Sequence, residues 1–337
     1  MTTPLASIIL LTYKQEAFVE EALRSLLCQD WSNFEIIVSD DASPDGTLDV
    51  VRRTIASTRT CVPIRILPSE SNLGVAANWN RAVAAASGEV IIAAAGDDAS
   101  DPQRVRRAME LFASDPDCQA LYFSCRTMDA HGKILENPRR PLHRAQRRSL
   151  DVASLWKGFY FNGATAAYRT SLLRLFGPID PRCGTEDVSG VVRAQMLGSA
   201  VVHPEVLVSW RRHSASLSFR SPSGSAGWLS KLRRARGAYR DAQQIRKDIL
   251  RSVELSMRTA VKVKGALREA AVMYHQNRIK YHLLHPRRRA PVVLSMIARL
   301  LAESQIPLPT RVGLAAKRLC GLLRRRPLST CADGGAG

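Results

Sequence analysis

Hydrophobic and polar positions alternate along this chain in two rhythms. Residues 7–12, 34–38, 64–67 and 89–95 are short, mainly apolar runs, the pattern of strands buried on both faces. Between them the apolar positions recur at three and four. Phe18, Ala22, Leu23, Leu26 and Leu27 lay one stripe along 15–29, which predicts a helix with a single buried face. Helices are expected likewise at 47–55 and 75–86. Repeated strand-helix units call for a parallel sheet with helices on its faces, joined by right-handed crossovers. The fold class is therefore α/β. Further on, the pattern predicts a helix at 104–112, a strand at 120–124 and a polar Arg- and Pro-rich mobile loop over 131–148. A turn and strand at 161–169, a helix at 188–197 and a strand at 206–210 follow. From Trp228 onward Leu232, Ala235, Tyr239, Ala242, Ile245, Ile249 and Val253 keep helical spacing.

Two of the strands end in acids. The run at 89–95 stops at Gly96-Asp97-Asp98, and the run at 34–38 leads into Ser39-Asp40-Asp41-Ala42-Ser43-Pro44-Asp45-Gly46, rich in turn formers. In open α/β sheets ligands bind beyond the carboxyl ends of the strands. Adjacent carboxylates repel unless a cation or a set of donors lies between them. Neither Gly-x-Gly-x-x-Gly after the first strand nor Gly-x-x-x-x-Gly-Lys-Ser/Thr occurs, so a dinucleotide fold and a P-loop are both unsupported. Phosphate would be met through a divalent metal on the Asp pair. The acidic loop from Asp41 has a plainer reading beside this one, as the cap of the helix that follows.

Composition adds a division of labour. Of 337 residues 45% are hydrophobic, enough for a large core and too many for a disordered chain. Residues 1–226 hold 25 Lys/Arg against 24 Asp/Glu, while 227–337 hold 24 against 6, so nearly all of the net +19 sits in the last third. Two regions are expected: a catalytic domain over 1–220 and a basic α-helical region over 221–337. The basic helices suit an anionic membrane surface. A helical appendage packed on the catalytic domain is the alternative, and nucleic acid is disfavoured because stacking aromatics and a binding module are missing. Seven cysteines form no Cys-x-x-Cys pair and read as reduced thiols. The first residues lack a signal-peptide pattern, and no apolar run approaches the roughly 18–20 residues of a membrane span. The expected location is cytoplasmic, at the inner face of the cell membrane.

Five fragments in order, Ser7-Ile-Ile-Leu-Leu-Thr-Tyr13, Glu35-Ile-Ile-Val-Ser-Asp-Asp-Ala-Ser-Pro-Asp-Gly-Thr47, Asn72-Leu-Gly74, Ser87-Gly-Glu89 and Gly96-Asp-Asp98, resemble the successive signatures of the family 2 glycosyltransferases, which have the GT-A fold. With later motifs the resemblance covers roughly residues 5–220. It implies a nucleotide-sugar donor, Mg²⁺ or Mn²⁺, and an inverting transfer to a saccharide or lipid-linked acceptor in surface glycan synthesis.

By this resemblance Thr12, Tyr13 and Asn72 line the donor. Asp40 or Asp41 accepts the ring N–H of a uracil or thymine, a task that suits an acceptor-only carboxylate, which favours a UDP- or dTDP-linked sugar. Asp97 contacts the ribose and Asp98 the metal, although Ala95 stands where many relatives have another acid. Asn162 and Gly163 border the acceptor pocket. In Gly184-Thr-Glu-Asp187 the resemblance makes Asp187 the general base and Glu186 a contact for acceptor hydroxyls; an ordinary helix start reads the same way. Arg211 and Arg212 would meet the diphosphate, and His213 the metal or diphosphate. The Gln-x-x-Arg-Trp signature of processive synthases is missing, which points to single additions. Two alternatives remain at this stage: a non-catalytic nucleotide-sugar or polyanion binder, and a nucleotide-sugar hydrolase.

Overall fold

The structure, a computed structural model, describes residues 3–138, 144–148, 162–214, 216, 225–254, 270–272, 274–275 and 277. Four strands, β1 (Ala6–Thr12), β2 (Phe34–Asp40), β3 (Ile64–Pro68) and β4 (Val90–Ala95), pair in parallel in the order β3-β2-β1-β4. Helices α1 (Val19–Leu27), α2 (Thr47–Ser57) and α3 (Val75–Ala85) connect them. Beyond β4 come β5 (Ala99–Ser100), α4 (Arg104–Ser114), β6 (Cys118–Met128), β7 (Ile134–Glu136) and β8 (Gln146–Arg148). A 3₁₀ turn at Gly163–Thr165, β9 (Ala166–Arg169), α5 (Thr170–Phe176), α6 (Asp187–Leu197), β10 (Ser199–Arg211) and α7 (Ser225–Glu254) complete the described chain. The sheet continues β4-β9-β6-β10-β5, with β9 antiparallel to both neighbours and β6 parallel to β10. The mostly parallel α/β sheet expected from the pattern is the one observed.

Strand alternation explains the two layers. Ile9, Ile37, Ile91 and Ala93 join one core with Trp79 of α3, Leu172 of α5, Val191 of α6 and Ile245 of α7. Ile8, Leu10, Ile36, Val38 and Ile92 join the other with Leu23 of α1, Val51 of α2 and Phe112 of α4. Because both sides are covered, the central strands are mainly apolar on both faces. Ser87-Gly-Glu89 lies at the amino ends of the strands, away from their acidic ends. There Ser7 donates to Glu35 at 2.6 Å, and Glu35 also accepts the Ser87 N–H at 2.7 Å. A Cβ on Gly88 would stand 2.6 Å from the Ser7 nitrogen, so this glycine allows a close backbone crossing.

Several boundaries differ from the pattern. The strand expected at 206–210 begins at Ser199, and its register against β6 shifts between His203 and Val206. Pro204 lies in that irregularity and masks the strand in sequence, since proline cannot serve a ladder. Helix α5 had no expected counterpart; it is only 7 residues long, too short to show a period. Within 131–148, expected as loop, β7 and β8 add short strands to β6 and β10, while 139–143 lie outside the described residues. The described part of the basic region, α7, buries Ala242, Ile245 and Ile249 in the same core as Ile9. The arginine clusters at 287–289 and 324–326 lie outside the described residues.

Candidate active site

Parallel, in-step pairing brings the strand ends together: Thr12 stands beside Asp40, and Leu11 beside Ala95. Thr12 Oγ1 donates to Asp40 at 2.8 Å, and Ser43 donates to the same carboxylate through its N–H at 2.8 Å and its hydroxyl at 2.6 Å. Asp40 is completely buried. Asp41 accepts the N–H groups of Leu73 at 2.6 Å and Gly74 at 2.9 Å, and Asn72 Nδ2 reaches its backbone oxygen at 3.3 Å. It keeps 4% of its surface exposed. Asp45, not Asp41, answers the helix-cap reading, accepting the Thr47 N–H at 3.2 Å at the start of α2. Lys14 and Ala42 hold left-handed φ values of 56° and 58° in these two loops, a conformation costly for residues with a Cβ. Tyr13 and Leu73, next to the bonded groups, are exposed.

The acid pair sits where β4 turns. A Cβ on Gly96 would fall 2.4 Å from Gln15 Oε1, so only glycine lets the Gln15 side chain reach Asp97. Gln15 Nε2 donates to Asp97 Oδ1 at 3.0 Å, and His213 Nε2 lies 3.0 Å from Asp97 Oδ2. Asp98 is buried and accepts the Arg211 N–H on Oδ1 at 2.8 Å. Burial, and then the Asp97 charge beside it, hold its carboxyl well above the usual range. Arg211 is buried too. Its guanidinium donates to the backbone oxygens of Asp97, Asp129 and Ala130 and pairs with Glu21 at 2.5 Å, with Phe18 against its face. Arg212, just beyond β10, is exposed, without an ion pair among the described residues.

Arg104 links this half to the next. It is buried, donates to Ala93 O at 2.6 Å and Ala164 O at 2.8 Å, and its pKa is pushed down to about 10 by burial. Asp98, Arg104 and Ala164 line one recess. The antiparallel register of β4 on β9, with Ile92 opposite Ala167, runs the Gly163–Thr165 turn alongside the end of β4. Asn162 caps that turn, accepting the Ala164 N–H at 3.2 Å. A Cβ on Gly163 would lie 2.1 Å from Glu186 Oε1 and 3.4 Å from Asp187 Cβ, so this glycine admits the acid pair that opens α6. Burial, then the Asp187 charge, push Glu186 up to about 8. Asp187 is also raised by burial, opposed first by the Thr185 side chain and then by the Val188 and Gly163 N–H groups. Both acids thus hold protons more tightly than free carboxylates, at a helix N-terminus that favours negative charge. Asp187 Oδ1, Thr185 Oγ1 and Asn162 Nδ2 are buried without a well-formed hydrogen bond.

The model of Glycosyl transferase family 2 matches residues 7–176, half of the chain. The chain belongs to this family. Over 181 residues this family 2 chain is 28% identical to an uncharacterized glycosyltransferase of Nostoc sp., covering 52% of the chain and 54% of that protein. It thus spans about half the length of that curated relative. Among solved structures it resembles S. aureus TarS 1–349 in complex with UDP-GlcNAc, with TM-score 0.61 and 18% identity over 94% of this chain and 92% of that one. It also resembles the mannosyltransferase PcManGT from Pyrobaculum calidifontis in complex with GDP-Man and Mn²⁺, with TM-score 0.53 and 22% identity over 96% and 82%. At such identities the likeness establishes the fold, which is the GT-A fold expected.

The family 2 signatures pass over several residues that the fold brings to the site. Gln15, Phe18, Glu21 and Arg104 carry no motif signal, because each is a common residue at an ordinary helical or loop position. Asp241 of α7 is another: it accepts the Gly184 N–H at 2.8 Å. A signal for it existed in the scarcity of acids, since it is one of only 6 in residues 227–337.

Proposed function

We propose that this family 2 chain is an inverting glycosyltransferase that moves a sugar from a nucleoside diphosphate donor to a hydroxyl of a saccharide or lipid-linked acceptor, in surface glycan synthesis. One observation carries the reading: Asp187 Oδ1 and Asn162 Nδ2 are buried without a well-formed hydrogen bond, with the Thr185 hydroxyl as the side-chain donor toward Asp187. Buried polar atoms without partners are costly, and acceptor hydroxyls would supply the missing bonds.

Thr12, Tyr13 and Asn72 would border the donor nucleoside. Asp41 is favoured over Asp40 as reader of a pyrimidine ring N–H, because Asp40 has no exposed surface. Asp97 would border the ribose, and the exposed Arg212 would face the diphosphate more readily than Arg211, whose donors are engaged. The residues fit a divalent cation: Asp98 keeps Oδ2 outside any hydrogen bond among the described residues, next to a second carboxylate that raises its proton affinity. No set of three or more His, Cys, Asp or Glu side chains is gathered for a metal among the described residues, so phosphates and waters would complete the shell, as they commonly do for Mg²⁺ and Mn²⁺. Asp98 would hold the ion, with His213 at the same acid pair. Bound there, it would offset the charge growing on the departing diphosphate.

In the transfer, Asp187 takes the acceptor O–H proton as that oxygen bonds to the anomeric carbon. The anomeric C–O bond to phosphate breaks, and its electron pair leaves with the nucleoside diphosphate. One displacement inverts the configuration. Glu186, protonated, is placed to donate to an acceptor oxygen.

A panel of nucleotide sugars assayed with Mn²⁺ or Mg²⁺ tests this. Nucleotide release that needs an acceptor is expected; release without one would make the chain a hydrolase, and binding without turnover a non-catalytic binder. Asp187→Asn should slow transfer by about 10²–10⁴-fold while donor affinity by calorimetry stays within a few-fold of the parent.

A further inference from the structure

The segment that bears Asp187 is gripped by a helix far along the chain. On α7, Gly237, Asp241, Gln244 and Asp248 follow one another at helical spacing, and each meets the stretch from 177 to 193. Asp248 pairs with buried Arg193 at 2.9 Å, and Arg193 in turn donates to Gly177 O at 2.8 Å. Gln244 accepts the Asp180 N–H and Asp241 the Gly184 N–H, both at 2.8 Å. At Gly237 the two backbones touch, for a Cβ there would stand 2.9 Å from Gly184 Cα. All of this lies beyond the family match, which ends at residue 176.

A helix docking only for stability buries apolar side chains, as α7 does with Ala242, Ile245 and Ile249. The polar row beside them is different. Asp248 is neutralised by Arg193, but Asp241 is 5% exposed and has no ion-pair partner among the described residues. An amide or hydroxyl would satisfy the Gly184 N–H at less desolvation cost. The Asp241 carboxylate, however, also accepts from the Thr185 N–H and the Cys183 thiol, so one side chain ties three consecutive residues ahead of Glu186 and Asp187, within electrostatic reach of both.

We infer that Asp241 is a positioning residue for Asp187: its carboxylate and the Gly237–Gly184 contact fix the 183–187 turn that carries the base. The inference rests on Asp187 being the base. Facing that pair are Tyr122 of β6 and Tyr168 of β9, the Gly163 and Val188 N–H groups, and Asp241 itself. Asp241 has its own pKa pushed up to about 7, by burial first and partly by Asp187. The coupling runs both ways, so removing the Asp241 charge makes the pair easier to ionise.

The experiment uses the full chain and two substitutions. Asp241→Asn keeps an oxygen for the Gly184 N–H and loses the charge. The acidic limb of its kcat–pH profile should move down by about 0.5–1 pH unit, with donor KM unchanged. Gly237→Ala would strengthen an isolated helix, yet its methyl group pushes on the turn. Its kcat should fall about tenfold or more at unchanged donor KM, a loss larger than its fall in Tm accounts for. A superimposable pH profile for Asp241→Asn, or loss of kcat only in step with loss of Tm, overturns the inference, as does parental kcat in Gly237→Ala. Asp187→Asn separates the two levels. If it is inactive while Asp241→Asn titrates like the parent, the positioning role alone fails. If Asp187→Asn still transfers sugar, the base assignment fails and takes this inference with it.

Discussion

Asp97 and Asp98 share a peptide bond but meet different surroundings. Asp97 is turned toward neutral or weakly basic partners, Gln15 and His213, and both of its oxygens are engaged. Asp98 faces inward, with one oxygen on the Arg211 N–H and the other unbonded among the described residues. Asp98 is therefore the acid whose loss should matter most for the diphosphate. A metal's charge stabilisation is worth several kcal/mol, so Asp98→Asn should lower metal-dependent nucleotide release by at least about 10²-fold, with Asp97→Asn milder; the reverse order in a steady-state assay would contradict the assignment. Glu186 gives a stability test with a definite sign. Its pKa rises from 4.5 to about 8 on folding, so the folded state holds its proton more tightly. The stability it contributes is full below 4.5 and is lost as pH rises through 8. Tm of the parent should fall between pH 5 and 8 more steeply than Tm of Glu186→Gln, as scanning calorimetry can check.

At the scale of elements, β10 and α7 do what no single motif announces. β10 runs parallel to β6 across an irregularity at Pro204 and delivers Arg211 to the Asp98 carboxylate. Arg211 ends the strand and is buried, while Arg212 just beyond it is exposed. Helix α7 is half polar network and half core. Ile245 is fully buried in the core cluster that also holds Ile9, Ile91 and Val191 of α6, so Ile245→Ala should destabilise the whole domain by about 2–5 kcal/mol in denaturant titration. A detachable appendage would instead leave the main transition unmoved.

For the whole molecule, charge and fold are segregated. A near-neutral α/β body carries the acids of the site, and residues 227–337 carry a net +18 from 24 bases against 6 acids. Among the described residues no helix is long and apolar enough to cross a membrane. With each surface Lys or Arg contributing about 1 kcal/mol toward an anionic leaflet, the full chain should sediment with anionic vesicles at low salt and leave them at high salt. Equal binding to neutral vesicles would refute an electrostatic attachment.

Much of this was legible along the chain. Mainly apolar runs with helical stripes between them specify strands covered on both faces, because period and burial are local properties of sequence. Turn formers and adjacent acids mark the strand ends for the same reason, and so 40–41 and 97–98 stand out as candidate chemistry, whereas 186–187 open a helix and stand out only through the family resemblance. What sequence could not assign was partnership. Asp40 and Asp41 look alike until one is sealed under Thr12 and Ser43 and the other is held by the Leu73 and Gly74 N–H groups; Arg211 ends a strand and is buried, while Arg212 just beyond it is exposed. Arg104, Gln15 and Asp241 gain their roles from residues 57 to 82 positions away. Local pattern determined which segments fold and where acids emerge; tertiary packing alone decided which of those acids are buried, which are paired and which are left open, since desolvation and hydrogen bonding depend on neighbours that only the folded chain supplies.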